Sequence, residues 1–235
     1  MGGIMRRIGI LGAMELEIAF LKEIMEIEEV VEYAGFNFYV GSYGYLKLFI
    51  VESGIVKVNA ACCTQTLITK FNVSHIVNYG IAGSLRPDIR ICDIVIGHSF
   101  TYHDVGKSQL KNMFPFKEKF YADECLERIA IDAFSQIELK ECNYHLGLVV
   151  TGDEFISNPS RRQNIVIDNN GCCVDMEAAA IAHSCFLNKV PFISIKCVSG
   201  NYDEDSTEYN TELDHIAAYS AARFTIKILN ILEKH

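Results

Sequence analysis

The chain has 235 residues, half of them hydrophobic, with a formal net charge of −9 and four prolines; it can bury a full core and has no composition typical of disorder. The acidic balance, with no Lys- or Arg-rich run to offset it, opposes binding to nucleic acid or an anionic membrane and favours a small-molecule partner. Apolar runs stay below the ~20 residues that span a bilayer. Met5-Arg6-Arg7 leads into a short run ending at acidic Glu15 and Glu17, unlike a secretory leader, so a cytoplasmic protein is expected. The nine cysteines form no C-x-x-C and have no His at zinc-ligand spacing, so free thiols and no metal are expected. The sequon Asn72-Val73-Ser74 would matter only in a secreted chain.

Strand-like apolar runs alternate with helix-period segments, the pattern of an α/β fold in which a mixed β-sheet is flanked by helices on both faces. Met5 offers an alternative start, which leaves residues 1–4 as a candidate non-native leader to one domain over 1–235. In chain order, a strand at 7–13 is followed by a helix at 14–27. An antiparallel pair at 36–42 and 46–52 turns around Gly41 to Gly44, and a helix follows at 56–71. Further strands are predicted at 75–81, 92–101, 145–151 and 191–198, with helices at 122–135, 176–188 and 210–233. Residues 104–120 lack periodicity and read as a long surface loop, a length that is commonly functional.

Two carboxylates break the apolar pattern. On the wheel of 14–27, Glu15, Lys22 and Glu26 share one face, whereas Glu17 falls among Phe20, Leu21 and Ile24 and so points toward the core. Helix 176–188 is almost uncharged in its first three turns, with Glu177 the exception. Asp175 is a good N-cap for that helix, so Glu177 either complements the helix dipole or is held ionised there to accept sugar hydroxyls. His183 on the same helix reads as a core histidine. Tyr102-His103-Asp104 ends a strand, where site loops gather in α/β sheets, although a local hydrogen-bonded turn explains it equally well. Gly12, Gly54, Gly80, Gly83 and Gly152 each follow a strand-like run and point to one crevice. There is no G-x-G-x-x-G and no Walker-type Gly-Lys-Ser/Thr.

These residues together resemble the methylthioadenosine/S-adenosylhomocysteine nucleosidases of the purine nucleoside phosphorylase-like superfamily, nearly end to end. The likeness is carried by the run from Gly9 to Glu17, by Ser53-Gly54-Ile55-Val56-Lys57-Val58, by Gly80-Ile81-Ala82-Gly83, by Tyr102-His103-Asp104, by Thr151-Gly152-Asp153-Glu154-Phe155-Ile156 and by Val174-Asp175-Met176-Glu177-Ala178. The resemblance implies hydrolysis of the bond between adenine and a 5′-thio-substituted ribose through an oxocarbenium-like transition state, without a cofactor, in a homodimer. It places Glu17 on the attacking water and Glu177 on the ribose hydroxyls, with Met176 against the sugar. Phe155 would stack on adenine, the backbone of Ile156 would bond its edge, and Met14, Ile81, Ala82, Gly83 and Ser199 would line the pocket. An anionic Glu17 suits neutral water and repels a phosphate dianion, so phosphorolysis is disfavoured.

The likeness breaks at Ser199-Gly200, where the family has Ser-Asp and the Asp protonates purine N7. Asn201 or Asp203 is the expected substitute donor, Asp203 first. Lys196 stands where the family has Arg, Ile81 where Ser is usual, and Val56 where Gly recurs; Lys107 falls where an apolar contact to the 5′-thio group is expected. Two readings follow from Gly200: a nucleosidase with reduced activity or shifted substrate preference, and a nucleoside-binding protein of the same fold without turnover.

Overall fold

A computed structural model describes residues 6–136, 142–201 and 211–234. The first strand, β1 (Arg7–Gly12), shows how the sequence builds the core. Its alternation sends Ile8 and Ile10 to one face of the sheet and Leu11 to the other. Gly9 shares the second face: a side chain there would meet Ile76 Cδ1 at 2.7 Å and Leu67 Cδ1 at 3.1 Å, so the missing Cβ lets the covering helix pack close.

The chain continues through α1 (Glu15–Ile24), β2 (Glu26–Tyr33), β3 (Phe36–Tyr43), β4 (Leu46–Glu52), α2 (Lys57–Phe71), β5 (His75–Ser84) and β6 (Ile94–Tyr102). The elements α3 (Lys107–Asn112), β7 (Phe120–Tyr121), α4 (Glu124–Ser135), β8 (Tyr144–Thr151) and α5 (Pro159–Asn169) follow. The last are β9 (Cys173–Asp175), α6 (Ala178–Asn188), β10 (Phe192–Gly200) and α7 (Thr211–Leu232).

The strands form one sheet in the order β10-β6-β8-β9-β5-β1-β4-β3-β2, and β10 also pairs with β5, so five strands close into a ring from which the others extend. β1, β5 and β10 run parallel, and their C-terminal ends open on the same side. Leu67, Ala178 and Ala182, from α2 and α6, lie in the core on one face. Leu21, Leu126, Ala217 and Phe224, from α1, α4 and α7, lie in the core on the other. Among the described residues no helix is long and apolar enough to cross a membrane.

The predicted α/β class and the mixed sheet hold; the elements the sequence reading lacked are β2, α3, β7, α5 and the three-residue, fully buried β9, too short to show a period. The first helix stops at Ile24 and not at 27, because the chain turns at Met25 into β2, an edge strand absent from the sequence reading. β2 carries Glu26, Glu28, Glu29 and Glu32 and buries neither face, so it has no alternation to reveal it, and its charges suit an exposed edge. The predicted loop at 104–120 contains the short α3 and ends in β7. α5 was also missed, although Asn158-Pro159 is a helix-start signal; the Asn158 side chain accepts the Arg161 amide at 3.0 Å, and Pro159 takes the first helical position.

Val56, immediately before α2, has φ 76° and ψ 160°, a backbone region essentially reserved for glycine. Holding a β-branched residue there costs on the order of 1–3 kcal/mol, against ~0.5–1 kcal/mol for the greater unfolded-state freedom of glycine. Val56→Gly is therefore expected to raise the melting temperature by roughly 2–4 °C. An unchanged or lower value in a thermal melt would show that the surrounding loop, not the residue type, sets this conformation.

Candidate functional site

The ends of β1, β5, β9 and β10 and the starts of α1, α6 and α7 converge on a cavity of about 990 Å³, including its open mouth. The deepest acid in it is Glu17, 2 % exposed, in the first turn of α1. Its Oε2 accepts the amide protons of Ala13 (2.5 Å) and Met14 (3.2 Å), and its Oε1 accepts that of Ile81 (2.9 Å). Gly80 makes room for this arrangement: a Cβ there would sit 2.1 Å from Glu17 Oε1. Tyr79 donates its hydroxyl to the Glu17 carbonyl at 2.5 Å, fixing the helix start against β5. Burial raises the Glu17 carboxyl above its ordinary range, opposed by Lys196 and by the three amides.

Glu177, 5 % exposed, lies across the cavity just before α6. It does not serve the helix dipole from within the first turn, since α6 begins at Ala178. Its Oε1 accepts the Val56 amide at 3.1 Å and its Oε2 the Met176 amide at 3.3 Å. The capping falls to Asp175, whose Oδ2 accepts the Ala178 amide at 3.0 Å, and to Thr151, whose Oγ1 accepts the Ala179 amide at 2.9 Å. Burial pushes Glu177 up to about 8, relieved by Lys196 and reinforced by Asp175 and Glu17.

Lys196, 1 % exposed on β10, joins these acids. Its Nζ lies 2.9 Å from Asp175 Oδ2, and Asp175 Oδ1 accepts the Thr151 hydroxyl at 2.5 Å. Burial alone would depress the ammonium, but Asp175, then Glu177 and Glu17, hold it above its ordinary value. One buried cation thus faces three buried carboxyls, and the excess negative charge is relieved by proton uptake.

The predicted positions Met14, Ile81, Ala82 and Gly83 all line this cavity, as do Phe155, Ile156, Met176 and Ser199. Gly200 lines it too, and a Cβ there would meet nothing nearer than Gly83 Cα at 3.9 Å. Asp203 lies outside the described residues. Three lining residues escaped the sequence reading: Arg162 on α5, and Leu213 and Asp214 in the first turn of α7; Ile55 entered it only as part of a motif. Arg162 Nη2 donates to the Ile156 carbonyl at 3.4 Å, so the segment carrying Phe155 and Ile156 is tied to a helix the sequence reading did not contain.

Tyr102-His103-Asp104 is not a local turn. Asp104 accepts the Asp153 amide at 2.9 Å and Lys57 Nζ at 2.6 Å, which clamps three loops beside the cavity. Lys107 turns to the Asp168 carbonyl, away from the cavity lining. His183 is partly a core residue as read: its Nδ1 lies 3.2 Å from Tyr102 Oη and its ring stacks on Phe120, while Nε2 has no partner among the described residues.

Because Glu177 titrates above the 4.5 of a free glutamate, folding takes up a proton; this group's contribution to stability is full below pH 4.5 and lost as pH rises through about 8. Removing Lys196 would raise the carboxyls further. Lys196→Met is expected to cost ~3–5 kcal/mol, a fall of roughly 6–20 °C in melting temperature near neutral pH. That deficit should widen from pH 5 to pH 8. Equal deficits at both values, or none, would contradict this charge balance.

The sequence pattern of the phosphorylase superfamily matches residues 7–232. A 5′-methylthioadenosine/S-adenosylhomocysteine nucleosidase of Staphylococcus carnosus is 38% identical over 96% of this chain and 100% of its own length. One from an Exiguobacterium strain is 33% identical over 97% and 99%. Among solved structures, the Neisseria meningitidis nucleosidase in complex with methylthio-immucillin-A superposes with a TM-score of 0.88 at 30% identity, covering 95% of this chain and 98% of that one. The Colwellia psychrerythraea 34H nucleosidase in complex with adenine gives 0.89 at 30%, covering 97% and 96%. The acid-lined cavity at the strand ends thus sits in a chain that belongs to the methylthioadenosine/S-adenosylhomocysteine nucleosidases of the phosphorylase superfamily.

Proposed function

We propose that the protein hydrolyses the N-glycosidic bond of methylthioadenosine or S-adenosylhomocysteine and releases adenine, with Glu17 as the base that activates water. The observation that carries this reading is the charge of the cavity. Glu17, Glu154, Asp175, Glu177 and Asp214 line it, while Arg162 alone among the described lining residues is cationic. Such a field repels a phosphate dianion and stabilises a sugar that becomes positively charged as its base departs. The relatives' names and the adenine and immucillin complexes support the same chemistry.

In this mechanism the raised carboxyl of Glu17, fixed by three amides, takes a proton from water as the oxygen attacks C1′. Glu177 accepts the ribose hydroxyls and faces the developing cation, and Met176 packs on the sugar. Phe155 stacks on the purine, and Ile156 presents backbone to its edge. Met14, Ile81, Ala82, Gly83 and Ser199 shape the walls. The exposed Met113, Phe114 and Phe116 support a homodimer formed through the 104–120 segment, and the nine free thiols support a cytoplasmic location. The sheet running unbroken from β2 to β10 supports treating residues 1–235 as one domain. A nucleoside-binding protein without turnover is the alternative that Gly200 keeps in view.

Base release from methylthioadenosine, S-adenosylhomocysteine and inosine separates these readings. Release of adenine from the first two supports hydrolysis, whereas tight binding with no released base would sink it. Glu17→Gln and Glu177→Gln are each expected to lower adenine release by ~10²-fold or more. Glu177 must be ionised to face a cation, so kcat/KM for methylthioadenosine is expected to rise with pH toward about 8. A profile that is flat or falling over that range would contradict the assigned role.

A further inference from the structure

Adenine is a poor leaving group as an anion, so cleavage of its bond to C1′ calls for a proton on a ring nitrogen as the bond breaks. β10 ends at Ser199 and Gly200, neither of which carries an acidic side chain. The acids described above are engaged elsewhere: Glu17 and Glu177 by backbone amides, Asp175 by Thr151, Ala178 and Lys196, and Glu154 by Arg161 at 2.9 Å.

Asp214 differs. It is 8 % exposed, it lines the same cavity as Ser199, Gly200 and Phe155, and no hydrogen bond or ion pair holds its carboxyl among the described residues. On α7 it heads the buried stripe Asp214, Ala217, Ala218 and Ala221, where the helical period calls for an apolar side chain. Its carboxyl oxygens are not among the buried side-chain atoms that lack a partner; they open onto the cavity, where a ligand group can meet them. α7 packs against β10 and β5, which brings its first turn to the strand ends that carry Gly200 and Gly83.

Resting on the nucleosidase reading above, we propose that Asp214 is the catalytic acid that protonates the departing purine. Its carboxyl proton passes to a ring nitrogen as the electrons of the C1′–N9 bond move onto the base, which leaves as neutral adenine. The water oxygen bonds to C1′ and its proton passes to Glu17, after which the two carboxyls re-equilibrate through solvent. Proton donor and proton acceptor thus belong to α7 and α1, two helices whose first turns line one cavity.

The test compares two leaving groups on a 5′-methylthioribose: adenine, and 4-nitrophenolate, which departs without a proton. Asp214→Asn is expected to lower kcat for methylthioadenosine by ~10²–10⁴-fold while changing nitrophenolate release by less than about threefold. Gly200→Asp, which introduces a carboxyl where a Cβ has open space, is expected to restore adenine release in the Asp214→Asn background. Unchanged adenine release in Asp214→Asn would overturn the proposal. So would an equal loss on both substrates, which is the mark of a structural role. A parent protein that releases neither adenine nor nitrophenolate would instead refute the nucleosidase reading, and the role of Asp214 with it.

Discussion

The site depends on one buried cation. Lys196 Nζ lies within the fields of Asp175, Glu177 and Glu17, on a strand closed off from water. Without a positive charge there, three carboxyls could not share so dry a space in ionised form. With it they nearly can, and the residual imbalance leaves Glu177 holding a proton up to about pH 8. The cavity therefore gains from a positively charged ligand atom, and an oxocarbenium-like sugar offers one at the moment of reaction. Lysine is a compact point charge, unlike the broad planar fork of arginine, so it can pair closely with Asp175 but cannot bridge two carboxylates bidentately.

Backbone, more than side chains, holds the acids in place. Glu17 is gripped by amides from the end of β1, the start of α1 and β5, and Glu177 by amides from the start of α2 and its own neighbour. These donors are set by the parallel register of β1 and β5 and by the turn after β4, so the geometry is fixed before any ligand arrives. Gly80 is the necessary counterpart, because any side chain there would occupy the space of the Glu17 carboxylate. The strained Val56 has a similar origin: its amide must point at Glu177, and the backbone adopts a glycine-like conformation to achieve it.

Much of this was legible in the sequence because burial writes a pattern. β1, β5 and β10 are rich in Ile and Val, and Glu17 and Glu177 are acids among apolar neighbours, so period and charge conflict visibly. β2 half-buries only Val31 and left no pattern. α5 was signalled only by Asn158-Pro159, and its Arg162 is an inward-facing cation one turn before the buried Ile165. Asp214 shows the same conflict as Glu17, yet Thr211, Glu212 and His215 surround it with polar residues that hide the stripe behind it. Lys196 read as a substitution in a strand. That it faces three acids at once follows from the register of β10 beside β5 and from the close approach of β9 to that strand, which no local pattern encodes.

The fate of the sugar tests the central claim most directly. With methylthioadenosine as substrate in phosphate buffer, a cavity lined by four acids besides the proton donor, and by one cation among the described residues, should admit water and exclude the dianion. Free methylthioribose should then be the sole sugar product at every phosphate concentration. Accumulation of methylthioribose 1-phosphate, increasing with phosphate, would contradict the account.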